Sequence, residues 1–165
     1  MSKYSVSIQV SGLIGWLLLC YAASAVGAMG SAQAVDFYGQ LIQPYWAPPP
    51  SLFGPVWALL YTMMAVSVWM IWRQADWRLK RLAIKLFCAQ LVVNSLWSWV
   101  FFAWQLGDVA FINIVVLWLF IAVTLVVFWR SSKLAAVLLV PYLLWVSFAG
   151  ALNLSLWLAN PQLLG

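Results

Sequence analysis

The sequence predicts an all-α integral membrane protein: one domain over residues 1–165, folded as a five-transmembrane-helix bundle with its N-terminus in the cytoplasm. Three observations predict it. First, 67% of the 165 residues are hydrophobic and 7% are charged. A soluble domain runs near 45–50% apolar and about 25% charged, enough to cover its own surface. Second, five windows reach the roughly 20 apolar residues needed to cross a bilayer, at about 8–29, 52–72, 82–104, 109–129 and 134–158. Third, all eight basic residues fall on one side of the membrane only if the span count is odd.

The same numbers exclude whole classes of function. A disordered chain, a cytosolic enzyme and a nucleic-acid partner are ruled out, although the net charge is +5 and the pI about 9.5. The chain has neither His nor Glu, so Ser/His/Asp and Cys/His catalysis, His-ligated metals and paired-Glu sites are not expected, and no metal site is assigned. Cys20 and Cys88 lie in apolar runs and read as small hydrophobes.

Lys3 precedes the first span. A positive start, an apolar run and Ala32-Gln33-Ala34 also resemble a signal peptide with its cleavage site. The run is longer than a usual signal core, so the span is expected to be retained. The next link, 31–51, is long for a compact bundle and contains Pro44, Pro48, Pro49 and Pro50. The prolines predict extended or turn geometry. Phe37, Tyr38, Tyr45 and Trp46 give the loop an apolar side. It reads equally as a lid over the bundle or as an interfacial anchor.

In span two, Trp57, Tyr61 and Met64 share a helical face. Arg73, Arg78, Lys80, Arg81 and Lys85 crowd the next link, and Lys85 can reach the interface from its place one turn inside span three. Along span three, Gln90, Asn94, Trp97, Ser98 and Phe101 form one stripe. Arg130 and Lys133 fill the link between spans four and five. Span five carries Pro141, Trp145, Ala149 and Asn153 at intervals of four, a stripe expected to share one inward face, with a kink expected at Pro141. The runs are too long for barrel strands. No internal repeat supports an inverted-repeat transporter, and no ionisable residue lies at mid-bilayer to couple ions or protons.

Thirteen tryptophans are the strongest anomaly. Trp69, Trp72, Trp77, Trp104, Trp129 and Trp157 lie near span ends and fit an aromatic belt. Trp118 and Trp145 sit mid-span and Trp57 one turn inside, each with an N–H that needs a partner. Amides and hydroxyls at membrane depth face the interior. They serve either as glue between helices or, interleaved with aromatics, as a pocket for a flat apolar ligand with polar edges. On that second reading, Gln90, Ser98 and Asn153 join the pocket.

Four blocks carry a resemblance. Phe37-Tyr38-x2-Leu41-x2-Pro44-x-Trp46-x-Pro48-Pro49 is similar to the first-loop signature of the TspO/MBR family of tryptophan-rich sensory proteins, relatives of the translocator protein or peripheral benzodiazepine receptor. Val56-Trp57-x2-Leu60-Tyr61, Gln90-x3-Asn94-x2-Trp97-Ser98-x2-Phe101-Phe102 and Pro141-Tyr142-x2-Trp145-x3-Ala149-x2-Leu152-Asn153 follow in the family's order. The resemblance implies a homodimer of five-helix protomers in a bacterial cell membrane. It implies a cavity, closed by the first loop, that takes porphyrins and isoquinoline-type ligands. By position, Trp57 and Asn94 would contact the ligand, and Tyr38, Trp46, Tyr61, Trp97, Trp145 and Ala149 would line the pocket.

Three functions follow as expectations: a porphyrin-binding sensor or transport protein, a light-dependent porphyrin-degrading enzyme with Trp57 and Trp145 as the reacting residues, or a structural or regulatory membrane protein with an incidental cavity. No cofactor is required. The ligand would be protoporphyrin IX, or haem bound no better, since no His can ligate iron. Two departures from the family matter. Phe37-Tyr38 and Gln43-Pro44 replace Trp-Tyr and Lys-Pro, which removes a cation that would meet a porphyrin carboxylate. Residues 152–165 contain no Tyr and no basic residue, so cholesterol binding after span five is not expected.

Overall fold

A computed structural model describes residues 4–74 and 77–165, with Trp77 described by its backbone alone. Lys3 and Asp76 lie outside the described residues. Among the described residues five helices are long and apolar enough to cross a membrane. They are α1 (Val6–Gly30), α3 (Phe53–Trp72), α4 (Trp77–Ser98), α5 (Gly107–Ser131) and α6 (Lys133–Ala159). Lipid leaves no free backbone group satisfied, so each apolar run closes its hydrogen bonds within itself. Two short helices complete the chain, α2 (Ala34–Gln40) and α7 (Pro161–Leu164).

The long helices pack as a closed ring: α1 on α3, α3 on α6, α6 on α5, α5 on α4, and α4 back on α1. Their outward faces carry Ile14, Leu18, Leu59, Val92, Ile112, Leu119, Val126 and Leu144, all exposed. This is the surface that acyl chains would cover, and it explains why the helices are apolar all round. Antiparallel alternation gathers Arg73, Arg78, Lys80, Arg81, Lys85, Arg130 and Lys133 at one end, called here the basic end.

The core has two parts. Near the basic end Met64, Val68, Ile71, Phe87, Ile121, Phe128 and Leu139 pack together. At the opposite end Phe37, Tyr38, Leu41, Phe101, Leu152, Leu156 and Leu164 do so. Trp97 touches both.

The link 31–51 is only partly the extended segment expected. Residues upstream of its first proline are free to form a helix, and α2 does so, burying Phe37 and Tyr38. The proline stretch then runs as a turn, with the Ala47 N–H donating to the Pro44 carbonyl at 2.9 Å. Pro49 is extended, and a single 3-10 turn, Pro50–Leu52, leads into α3. This flap is held at one point by the end of α6. Asn160 Oδ1 accepts from the Ile42 N–H at 2.7 Å, and Asn160 Nδ2 donates to the Ile42 carbonyl at 3.0 Å.

Two backbone features were not legible beforehand. After Ser98 the helix widens into one π-helical turn, Trp99–Ala103, closed by the Trp104 N–H on the Trp99 carbonyl at 2.8 Å. Gln105 then turns the chain with φ +57°, a conformation more usual for glycine. Close packing accompanies the turn. A Cβ on Gly30 would come within 2.8–2.9 Å of Trp99, backbone nitrogen included, so only glycine lets α1 end there.

Span five corrects one expectation. Its stripe does not all face inward: Trp145, Ala149 and Asn153 do, but Pro141 is exposed. Steps of four advance about 40° each at 3.6 residues per turn, so three steps rotate the face by about a third of a circle. The helix runs unbroken through Pro141.

Candidate ligand-binding site

A cavity of about 320 Å³ lies where the two core regions meet, under the flap. Its aromatic wall comes from three helices: Trp57 and Tyr61 of α3, Trp97 of α4 with Phe102 of the π turn, and Trp145 of α6. Tyr38 of α2 and Phe53 roof it. The facing wall is α1 with its C-terminal cap, where Ser24, Gly27, Ala28 and the cap residue Ser31 fall at i, i+3, i+4 and i+7. These four small side chains leave the space that the aromatics do not fill. Their spacing is the sequence signal for this wall, although small residues at that spacing also mark ordinary helix packing.

Of the residues singled out from the sequence, Tyr38, Trp57, Tyr61, Asn94, Trp97, Ser98, Trp145 and Ala149 border this one cavity. Three do not, and the expectation that they line it is corrected. Trp46 packs edge-on against Phe148, 5.8 Å between centroids, on the outside of the flap. Gln90 lies a turn deeper than Asn94 and is fully buried. Asn153 is buried behind Trp97, whose Nε1–H it accepts at 3.0 Å, while its own Nδ2 donates to the Gly107 carbonyl at 3.1 Å. Asn153 therefore positions a wall residue. It fixes the Trp97 indole, which also stacks on Phe101 at 5.2 Å.

Hydrogen-bonding capacity inside the cavity is confined to a few neutral groups. Asn94 Nδ2 donates to the Tyr61 hydroxyl at 2.8 Å. That bond leaves the Asn94 Oδ1 acceptor and the Tyr61 proton for another partner. Trp145 Nε1 is buried with no partner, a loss of about 1–3 kcal/mol for an N–H left unpaired. The third central tryptophan, Trp118, is not at the site. Its Nε1–H donates to Ser147 Oγ at 2.8 Å across α5 and α6 on the outer surface.

None of the lining residues is an Asp, Lys or Arg. Burial pushes the Tyr38 phenol above its ordinary range, which keeps it neutral as well. Its hydroxyl donates to the Pro48 carbonyl at 3.4 Å and ties α2 to the proline stretch. The cavity thus favours flat, uncharged surface and discriminates against a buried carboxylate, which would meet no cation there.

The cavity is not sealed. Tyr21, Ala28, Val35, Gly54 and Ala58 line it and are also exposed, so it opens between α1 and α3. The Tyr21 hydroxyl, 2.8 Å from Thr62 Oγ1, bridges the two helices at the lower edge of that opening.

Comparison with known proteins gives a consistent picture. Residues 10–158 match the model of the TspO/MBR family. The Tryptophan-rich protein TspO of Chlorobaculum tepidum is 38% identical over 148 residues, covering 87% of this chain and 92% of that one. Protein CrtK of Rhodobacter capsulatus is 36% identical over 147 residues, 88% of this chain and 91% of its own. The Translocator protein of Bos taurus is 31% identical over 150 residues, 89% of each.

Proposed function

Since the chain belongs to the TspO/MBR family of membrane sensory and translocator proteins, we propose that it binds a porphyrin in the cavity beneath its flap and acts as a tetrapyrrole sensor or transport protein. The observation that carries this reading is the uncharged cavity walled by Trp57, Trp97, Trp145 and Tyr61. Aromatic faces hold a flat macrocycle by stacking and apolar burial and need no ionisable group. The Asn94 amide, bonded to Tyr61 in the same wall, meets the edge of the ring. The carboxylates of protoporphyrin IX stay at the opening between α1 and α3, because no lining residue is cationic. Haem is expected to bind no better than the metal-free ring, since the wall offers no His, Cys or Met as axial ligand and the hydroxyls of Tyr21, Tyr38 and Tyr61 are already hydrogen-bonded.

Titration of metal-free protoporphyrin IX into the purified protein, followed by quenching of Trp emission, tests this. Trp57→Ala and Asn94→Leu are each expected to weaken binding by roughly tenfold, about 1.4 kcal/mol. Equal affinity for wild type and both variants would sink the site. A second reading, light-dependent porphyrin breakdown, is favoured by one observation: Trp57 and Trp145 border the same cavity. Illumination in air separates the two. Loss of the Soret band faster than for free porphyrin in detergent, and slowed in Trp57→Phe and Trp145→Phe, supports the enzymatic reading. An equal rate rejects it.

A further inference from the structure

Below the cavity, toward the basic end, two polar side chains are completely enclosed and bonded to nothing. Gln90 of α4 is 0% exposed, and neither its Oε1 nor its Nε2 has a partner. Tyr142 of α6 is 0% exposed with an unpartnered hydroxyl. Neither residue borders the ligand cavity. The Trp57 indole lies 6.2 Å from the Tyr142 ring and 5.7 Å from the Tyr61 ring. Tyr61 is in turn bonded to Asn94, one turn along the same face from Gln90. Tyr61 and Tyr142 thus flank the same indole.

From these positions we propose that Gln90 and Tyr142 bind ordered internal water, forming a hydrated polar pocket beside Trp57 that is separate from the ligand cavity. An amide with both ends unpaired is rare in a folded interior, and the usual resolution is water. A buried water makes 2–4 hydrogen bonds. Gln90 supplies one acceptor and two donors, and the Tyr142 hydroxyl supplies both kinds. A helix carbonyl can accept a second bond, as the Leu156 carbonyl does from Asn160, but none accepts from Gln90 or Tyr142. No charged residue belongs to the cluster, so its occupant is neutral. The pocket stands whether or not a porphyrin is the ligand above it.

The wild-type structure, determined in lipid at a resolution that shows waters, tests the proposal directly. Density within hydrogen-bonding distance of both the Gln90 amide and the Tyr142 hydroxyl is the expected result. A dry contact, or a Gln90 amide bonded to protein alone, overturns it. Thermal melts supply the second measurement. Gln90→Met and Tyr142→Phe, both close in shape, are each expected to lower Tm by about 2–4 °C. The double variant falls by less than the sum, because both singles lose the same water. A higher Tm in either single variant, or strict additivity, overturns the shared site.

Discussion

Replacing Asn160 by Leu, which is similar in size but cannot hydrogen-bond, should free the flap while leaving the bundle intact. Asn160 is 5% exposed at the end of α6 and makes three side-chain bonds. Two reach the Ile42 backbone, at 2.7 and 3.0 Å, across 118 residues of sequence. The third, to the Leu156 carbonyl at 2.8 Å, is local to α6 and does not hold the flap. Each inter-segment bond is worth about 0.5–1.5 kcal/mol net. The Ile42 side chain is 68% exposed, so its freed backbone groups find water once the flap lifts, and the larger penalty for a buried orphan does not apply. The pair therefore contributes about 2 kcal/mol, and its loss should speed flap opening roughly 30-fold. Amide hydrogen exchange in nanodiscs reads this at Ile42 and through residues 43–47. The expected result is acceleration confined to the flap. Unchanged exchange at Ile42 would refute the latch. Acceleration spread over α5 and α6 would show that Asn160 supports the bundle instead.

Three further outcomes are expected. Gly30→Ala should cost about 1–3 kcal/mol in thermal or denaturant unfolding, because its methyl would collide with Trp99; Gly15→Ala, with open space around it, should be neutral or slightly stabilising. Tyr61→Phe should lower stability by about 1–3 kcal/mol in the same assay, since it orphans the buried Asn94 amide. Affinity for an uncharged probe of the cavity should stay constant between about pH 5 and 8. The lining holds no carboxylate, imidazole or amine, and burial moves the Tyr38 phenol above its ordinary range near 10. The neutral form therefore persists throughout that window. A titration step inside it, measured by fluorescence, would reveal a charged group at the site.

What the sequence could reveal followed from how many residues each feature involves. The five spans rest on some twenty residues apiece, and lipid permits only one backbone solution for them. The inward positions of Asn94, Trp97 and Trp145 followed from helical spacing combined with the cost of polar groups facing lipid. Features set by a few residues escaped. The seven residues of α2 carry too little pattern to distinguish a helix from a loop. The π turn at Trp99–Ala103 leaves no compositional trace, since Trp, Val, Phe and Ala suit an α-helix equally well. Trp46 fell outside the cavity because side-chain direction in a proline-rich turn is set by the turn, not by a period. Asn160 is an ordinary helix-end residue in sequence. Only the folded chain brings it to Ile42.

That latch orders events during synthesis. The flap is made after the first span, but the residue that fastens it follows the fifth. A nascent chain with four helices already in the bilayer has most of its aromatic wall, and its cover rests on Phe37 and Tyr38 without the Asn160 bonds. Closing so distant a pair is also entropically slow. The chamber is therefore assembled before its cover is latched, and a hydrophobic guest present in the bilayer at that stage meets an unfastened roof.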